Sequence, residues 1–176
     1  MIEKELPFER IYILGYMGSG KSTLAKELAK ELNCNYLDLD IFIKQETGEA
    51  PSEWIKRKGE ISFRAVERAA LLKVSSTFNG IIASGGGTPC YFDNMDVMLS
   101  TGITAYLFAN PKELAYRLRN AKTQRPLLSD IKPEDLVEFI AKHLFERAPF
   151  YSRAKIQWKA TEKNVKKWAK EIHNNV

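Results

Sequence analysis

Cysteine and histidine are scarce in this 176-residue chain, with two of each. Cys34 and Cys90 lie far apart, with no Cys-x-x-Cys pair and no histidine cluster, which excludes a disulfide framework and a structural zinc site. No apolar run approaches the roughly 18 residues that span a bilayer, so no membrane partner is expected. Residues 1–9 are too acidic and too poor in apolar side chains for a secretory signal, and the expected compartment is the cytoplasm. Internal repeats, low-complexity tracts and an interdomain linker are also missing, so residues 1–176 read as a single domain. The charge is unbalanced only mildly: Lys+Arg 27 against Asp+Glu 22 gives +5. Apart from a short run of lysines near the C-terminus the cations are dispersed, which argues against nucleic acid and suits a site for phosphates and an anionic substrate.

What is present is ordinary for a globular domain, 44% hydrophobic and 28% charged. Strand-like apolar runs recur at Ile11–Leu14, Tyr36–Leu37, Ile81–Ala83, Ile103–Phe108 and Ile156–Trp158. Helical periods fill Lys21–Leu32, Glu60–Val74, Pro111–Ala121, Pro133–Arg147 and Lys163–Ile172. Alternating β and α units predict an α/β fold in three layers, a parallel sheet covered on both faces, with ligands at the carboxyl ends of the strands. Residues 122–132 carry no period and read as a mobile lid.

One motif has direct chemical meaning. Gly15-x-x-x-x-Gly20-Lys21-Ser22 follows an apolar strand and opens a helix. Glycines let successive N–H groups turn toward one anion, Lys21 reaches the outer phosphates, and the Ser22 hydroxyl can ligate magnesium. The helix dipole adds its positive end at the same point. Asp38 and Asp40 close the second strand and are expected to face apart, one toward the metal and the other toward an acceptor hydroxyl whose proton it takes. Asp40 as the N-cap of a helix from Ile41 is compatible with that role.

Arg64, at a helix start, can clamp a carboxylate bidentately, with Glu67 three residues on to hold it; a plain surface ion pair is the alternative. Gly85, Gly86 and Gly87 follow the third strand, and three glycines permit close approach of a ligand where a turn needs one. Arg125, before Pro126 in the lid, and Arg147, before Pro149, are further anion contacts. Arg117 and Arg119 are candidates to stack on a purine, one of them being spare.

Taken in order, Gly15-Tyr-Met-Gly-Ser-Gly-Lys-Ser-Thr23, Asp38-Leu-Asp40, Gly59-Glu-x-x-Phe63-Arg64-x-x-Glu67, Gly85-Gly-Gly87, Arg125-Pro-Leu-Leu128 and Arg147-Ala-Pro-x-Tyr151 closely resemble shikimate kinases. The resemblance spans about residues 10–172. It implies a P-loop fold with a five-stranded parallel sheet and a lid, and phosphorylation of the 3-hydroxyl of shikimate by ATP with magnesium, a step of aromatic amino-acid biosynthesis, in a monomer. It implies that Gly18, Ser19, Gly20, Lys21, Ser22, Thr23, Arg119 and Arg125 bind ATP, and that Ser22 and Asp38 serve the metal. Asp40, Arg64, Gly85, Gly86, Gly87 and Arg147 would bind shikimate; Asp40, Lys21 and Arg125 would be catalytic. The chain departs from the family at Ala50–Ile55, where Trp54 would replace an apolar ring wall. Two rivals fit less of the pattern. A kinase of another small hydroxy acid such as gluconate gives no reason for Arg64, Gly85–Gly87 and Arg125 together. A catalytically idle nucleotide-binding relative would be expected to lose Lys21, Asp40 or Arg125.

Overall fold

The structure is a computed structural model that describes residues 9–121 and 131–174. The chain runs β1 (Arg10–Leu14), α1 (Lys21–Glu31), β2 (Tyr36–Asp38), α2 (Leu39–Thr47), α3 (Pro51–Lys58), α4 (Glu60–Thr77) and β3 (Gly80–Ala83). A 3-10 turn at Thr88–Cys90 leads to α5 (Asn94–Thr101), β4 (Ile103–Phe108), α6 (Pro111–Arg119), α7 (Leu136–Tyr151), β5 (Ile156–Lys159) and α8 (Val165–Asn174). The five strands form one parallel sheet in the order β2-β3-β1-β4-β5.

Every residue of β1 is buried, as a central strand covered on both faces requires. Ile11 and Ile13 join a cluster with Leu24 and Leu28 of α1, Leu114 of α6, Ile140 of α7 and Ile172 of α8. Tyr12 and Leu14 point the other way, to Ile43 of α2, Phe63 and Leu71 of α4, and Met98 of α5. Alternation along one strand therefore divides the helices into two layers. Burying each such aliphatic side chain contributes about 1.5–3 kcal/mol. Trp158 and Trp168 stack at 5.0 Å and fasten α8 over β5. Because all strands run one way, the loop after β1, the end of β2 and the turn after β3 meet at one edge of the sheet.

The five expected strands are all present, and the five expected helices appear with shifted ends. The helix expected from Pro133 begins at Leu136 and continues through Pro149 to Tyr151. Its end is held from outside: the Tyr151 ring stacks on Tyr106 at 4.8 Å, and Tyr151 Oη donates to Gly86 O at 2.5 Å. Helix α2 starts at Leu39, two residues before the Ile41 start considered from the sequence, whereas α3 and α5 were not expected; each has eight residues, too short for a clear period. Among the described residues no helix is long and apolar enough to cross a membrane. Residues 122–130 of the expected lid, with Arg125, lie outside the described residues.

Candidate active site

The loop between β1 and α1 is shaped by its glycines. Gly18 has φ 79° and Gly20 φ 100°, left-handed conformations open to glycine at little cost. Gly20 caps α1, so the first N–H groups of that helix remain available to an anion. Lys21 is nearly buried, 8% exposed, and its Nζ donates to Tyr16 O at 2.9 Å, which folds the side chain back along the loop. Ser19 N also donates to Tyr16 O, at 3.2 Å. Ser22 and Thr23, the next two residues of α1, are exposed on the same loop edge.

The two aspartates separate, but not as expected. Residues two apart in a strand share a face, so a continuing strand would have brought both carboxylates together. Instead the chain turns helical at Leu39. Asp38 ends β2 and is the N-cap of α2, its Oδ1 accepting from Asp40 N at 3.1 Å and Ile41 N at 3.3 Å. The capping role considered for Asp40 therefore belongs to Asp38. The other oxygen of Asp38 accepts from Ser22 Oγ at 2.6 Å and from Tyr36 Oη at 3.3 Å. Burial and the Asp38 charge together push the Tyr36 phenol up to about 12. Asp40 turns from this pair toward the glycine turn after β3, where a Cβ on Gly85 would lie 3.1 Å from its Oδ1.

Arg64 is no surface residue. Its side chain is 7% exposed and its Nη1 donates to Glu67 Oε2 at 2.8 Å, with Glu67 1% exposed. Glu60, one turn earlier, accepts from Arg64 Nη2 at 2.7 Å. Tyr91 donates to that same Glu60 oxygen at 2.8 Å and lays its ring 4.3 Å from the guanidinium carbon. Thr88 Oγ1 donates to the second oxygen of Glu67 at 2.6 Å. Burial alone would lower the Arg64 pKa; Glu67 and Glu60 outweigh it and raise it, so the side chain stays charged. For Glu60, burial pushes the pKa up, but bonds from Arg64 and Tyr91 prevail and hold it below the ordinary range.

Two of the three glycines after β3, Gly85 and Gly87, are required by space, and by the protein's own side chains. A Cβ on Gly87 would stand 2.7 Å from Arg64 Nη2 and 2.8 Å from Nη1; on Gly85 it would stand 2.7 Å from Glu67 Oε1. A Cβ on Gly86 would lie 3.2 Å from Met17 N of the phosphate loop and 3.7 Å from Arg147 Nη1. This turn is where Asp40, Arg64 and Arg147 converge.

Arg147 differs from Arg64. Among the described residues it forms no ion pair with a carboxylate, and its buried Nη1 has no hydrogen-bond partner. Burial opposes its charge, and the Tyr151 hydroxyl beside it more than compensates, raising the pKa. A buried donor without an acceptor is costly, about 1–3 kcal/mol, unless a ligand supplies the acceptor.

Of the purine candidates, Arg117 is committed elsewhere. Its Nη1 donates to Ser19 O at 2.7 Å and its Nη2 pairs with Glu113, so it braces the phosphate loop. Arg119 is exposed and donates to Pro133 O, leaving its guanidinium at the rim. Trp54 packs partly buried beside the α2–α4 core, donates to Ser62 Oγ at 3.1 Å and carries Lys58 Nζ 3.8 Å over its ring. Glu60, Thr88, Tyr91 and Arg117 were not read from the sequence for these contacts. The i, i+4 spacings of Glu60 with Arg64 and of Glu113 with Arg117 could have signalled the first and the last; no local pattern signals Thr88 or Tyr91.

Ser22 and Asp38 offer a hydroxyl and a carboxylate within 2.6 Å. Such hard oxygen donors suit magnesium, which takes few protein ligands and completes its octahedron with phosphate and water. No cluster of three or more His, Cys, Asp or Glu fit for a metal occurs among the described residues.

Comparison with known proteins adds four findings of one kind. A family model described as shikimate kinase matches residues 17–176. The shikimate kinase of Phocaeicola vulgatus is 44% identical over 153 residues, covering 87% of each chain. A crystal structure of shikimate kinase from Bacteroides thetaiotaomicron superposes with TM-score 0.87 at 37% identity, covering 95% of this chain and 97% of the other. The Acinetobacter baumannii shikimate kinase, solved in complex with shikimate, superposes with TM-score 0.82 at 29% identity, covering 94% and 91%.

Proposed function

This chain belongs to the shikimate kinase family and phosphorylates shikimate with ATP; we propose that the transfer to the 3-hydroxyl is carried by the residues gathered at the carboxyl edge of its sheet. The observation that carries this assignment is the convergence of Asp40, Arg64 and Arg147 on the Gly85–Gly87 turn, with a buried Arg147 donor unsatisfied. Gly18, Ser19, Gly20, Lys21, Ser22 and Thr23 hold the phosphates of ATP through backbone N–H groups, the lysine and the start of α1. Arg119 is assigned to the adenine and Arg125 to the phosphates. Arg64 and Arg147 take the two oxygens of the shikimate carboxylate; the planar guanidinium makes each contact directional. Backbone groups of Gly85, Gly86 and Gly87 line the ring.

Asp40 accepts a hydrogen bond from the 3-hydroxyl and holds its oxygen in line with the γ-phosphorus. The new O–P bond forms as the bond to the β–γ bridging oxygen breaks, ADP departs with that electron pair, and the hydroxyl proton passes to Asp40. Positioning supplies much of the rate, because a loose phosphoryl transition state needs little covalent help. Lys21 stabilises the charge that gathers on the bridging and terminal oxygens. Ser22 and Asp38 are the residues that would hold magnesium, which when bound neutralises and orients the phosphates. The protein is proposed to work as a monomer in the cytoplasm.

Paired aspartate variants test the assignment. Asp40→Asn should lower shikimate phosphorylation at least about a hundredfold with nucleotide binding nearly intact. Asp38→Asn should instead raise the magnesium concentration needed for half-maximal rate while leaving α2 capped, because the amide oxygen can still accept from Asp40 N and Ile41 N. A magnesium titration that shows the metal defect in Asp40→Asn and the substrate defect in Asp38→Asn would reverse the two roles.

A further inference from the structure

Phosphate binding explains the glycines, the lysine and the serine of the loop, yet it gives no reason for a tyrosine at position 16. That side chain is among the most buried in the molecule, 1% exposed, although it sits on a loop at the edge of the sheet. Filling the core would require only an apolar ring. Its hydroxyl, however, meets His143 Nδ1 at 3.1 Å, on α7, one helical turn before Arg147. The face of its ring lies 5.2 Å from the guanidinium carbon of Arg147. Burial and the neighbouring Arg147 charge hold His143 below the ordinary histidine range, which favours a neutral imidazole able to accept the phenolic proton at Nδ1. Phe139 also packs against His143, ring centroids 4.2 Å apart, so two aromatic rings contact the imidazole.

We infer that Tyr16 is a positioning residue for the substrate clamp: its ring seats Arg147, while its backbone carbonyl seats Lys21. The inference rests on the reading of Arg147 as a carboxylate ligand. A guanidinium over an aromatic face is attracted by the ring quadrupole without spending its in-plane N–H donors. Arg147 is thereby held in place with Nη1 still uncommitted, whereas Arg64 is held by carboxylates that occupy its donors. The Tyr16–His143 hydrogen bond fixes the rotation of the ring and of the α7 turn that carries Arg147. One loop residue thus anchors a group on each side of the transfer, the phosphate-side lysine by its main chain and the acid-side arginine by its side chain.

The test separates ring, hydroxyl and fold. Tyr16→Leu should raise KM for shikimate about tenfold, with KM for ATP and kcat changed less than about twofold. Tyr16→Phe, which keeps the ring, should restore KM to within about threefold of the parent. Tyr16→Met fills the space flexibly and serves the same comparison if the leucine variant does not fold. In an Arg147→Ala background Tyr16→Leu should add almost nothing, because residues that act as a unit are not additive. A phenylalanine variant as impaired as the leucine one, or equal losses for both substrates, would overturn the inference. If Arg147→Ala raises the shikimate KM strongly while Tyr16→Leu does not, this inference alone fails. If Arg147→Ala leaves that KM unchanged, the carboxylate assignment fails and takes the inference with it.

Discussion

The phosphate half and the acid half of the cleft are built on opposite plans. The phosphate half is one continuous stretch, Gly15 to Thr23, in which backbone conformation and a helix start do most of the shaping. The acid half is assembled from α2, α4, the turn after β3 and α7, and its side chains are held by other side chains. A backbone cradle depends on a few glycine conformations; an assembled pocket depends on every neighbour leaving room. Within the acid half the contrast repeats at smaller scale. Arg64 is flanked by Glu60 and Glu67, so much of its charge is answered before a substrate arrives. Arg147 forms no ion pair with a carboxylate among the described residues and keeps Nη1 without a partner, and the larger share of attraction for an incoming anion should come from it.

The largest effect should come from the phosphate half. Lys21→Ala should lower kcat about a thousandfold, since its ammonium acts on charge that develops in a water-poor site. Thermal unfolding should barely change, because the loop is shaped by its backbone; near-normal turnover in a coupled ADP-release assay would end the phosphate assignment. Next come the arginines. Arg64→Lys and Arg147→Lys should each raise KM for shikimate by on the order of a hundredfold, with little change for ATP, because lysine lacks the planar fork. The melting temperature should divide the pair: Arg64→Lys leaves buried Glu67 poorly paired and should melt earlier, while Arg147→Lys should not. Equal melting temperatures would erase the distinction between them. The smallest effect is expected for Gly87→Ala. One methyl group placed against the Arg64 guanidinium must push it aside, and KM for shikimate should rise about tenfold with ATP unaffected. An alanine variant with parental KM would mean that Arg64 can shift without consequence.

The same division governs what could be read from the sequence. The parallel sheet and the phosphate loop were legible because both leave contiguous traces, apolar runs and a spaced glycine–lysine motif. Asp40, Arg64 and Arg147 were legible as a resemblance to a family pattern; singly, each has an ordinary alternative reading. Glu67 was legible as a neighbour of Arg64, since helix spacing brings the two together, but its burial was not. The contacts of Tyr91 and Thr88 with that pair depend on how the segment after β3 returns over α4, a long-range outcome with no local trace. The aspartate pair shows the limit most clearly: a two-residue difference in where α2 starts decides which carboxylate caps the helix and which faces the pocket.

The place of β1 in the sheet also bears on how the chain is made. Its residues Arg10–Leu14 form the middle strand, yet their partners are Gly80–Ala83 on one side and Ile103–Tyr106 on the other. During synthesis that apolar strand leaves the ribosome before either partner and must wait, with both edges unpaired, until β3 and then β4 have followed. Pairings so distant along the chain are slow to form, and an unpaired apolar strand is an open template for other chains. The period between the first strand and the fourth is therefore when a nascent copy is most exposed to aggregation, and when a chaperone would have the most to protect.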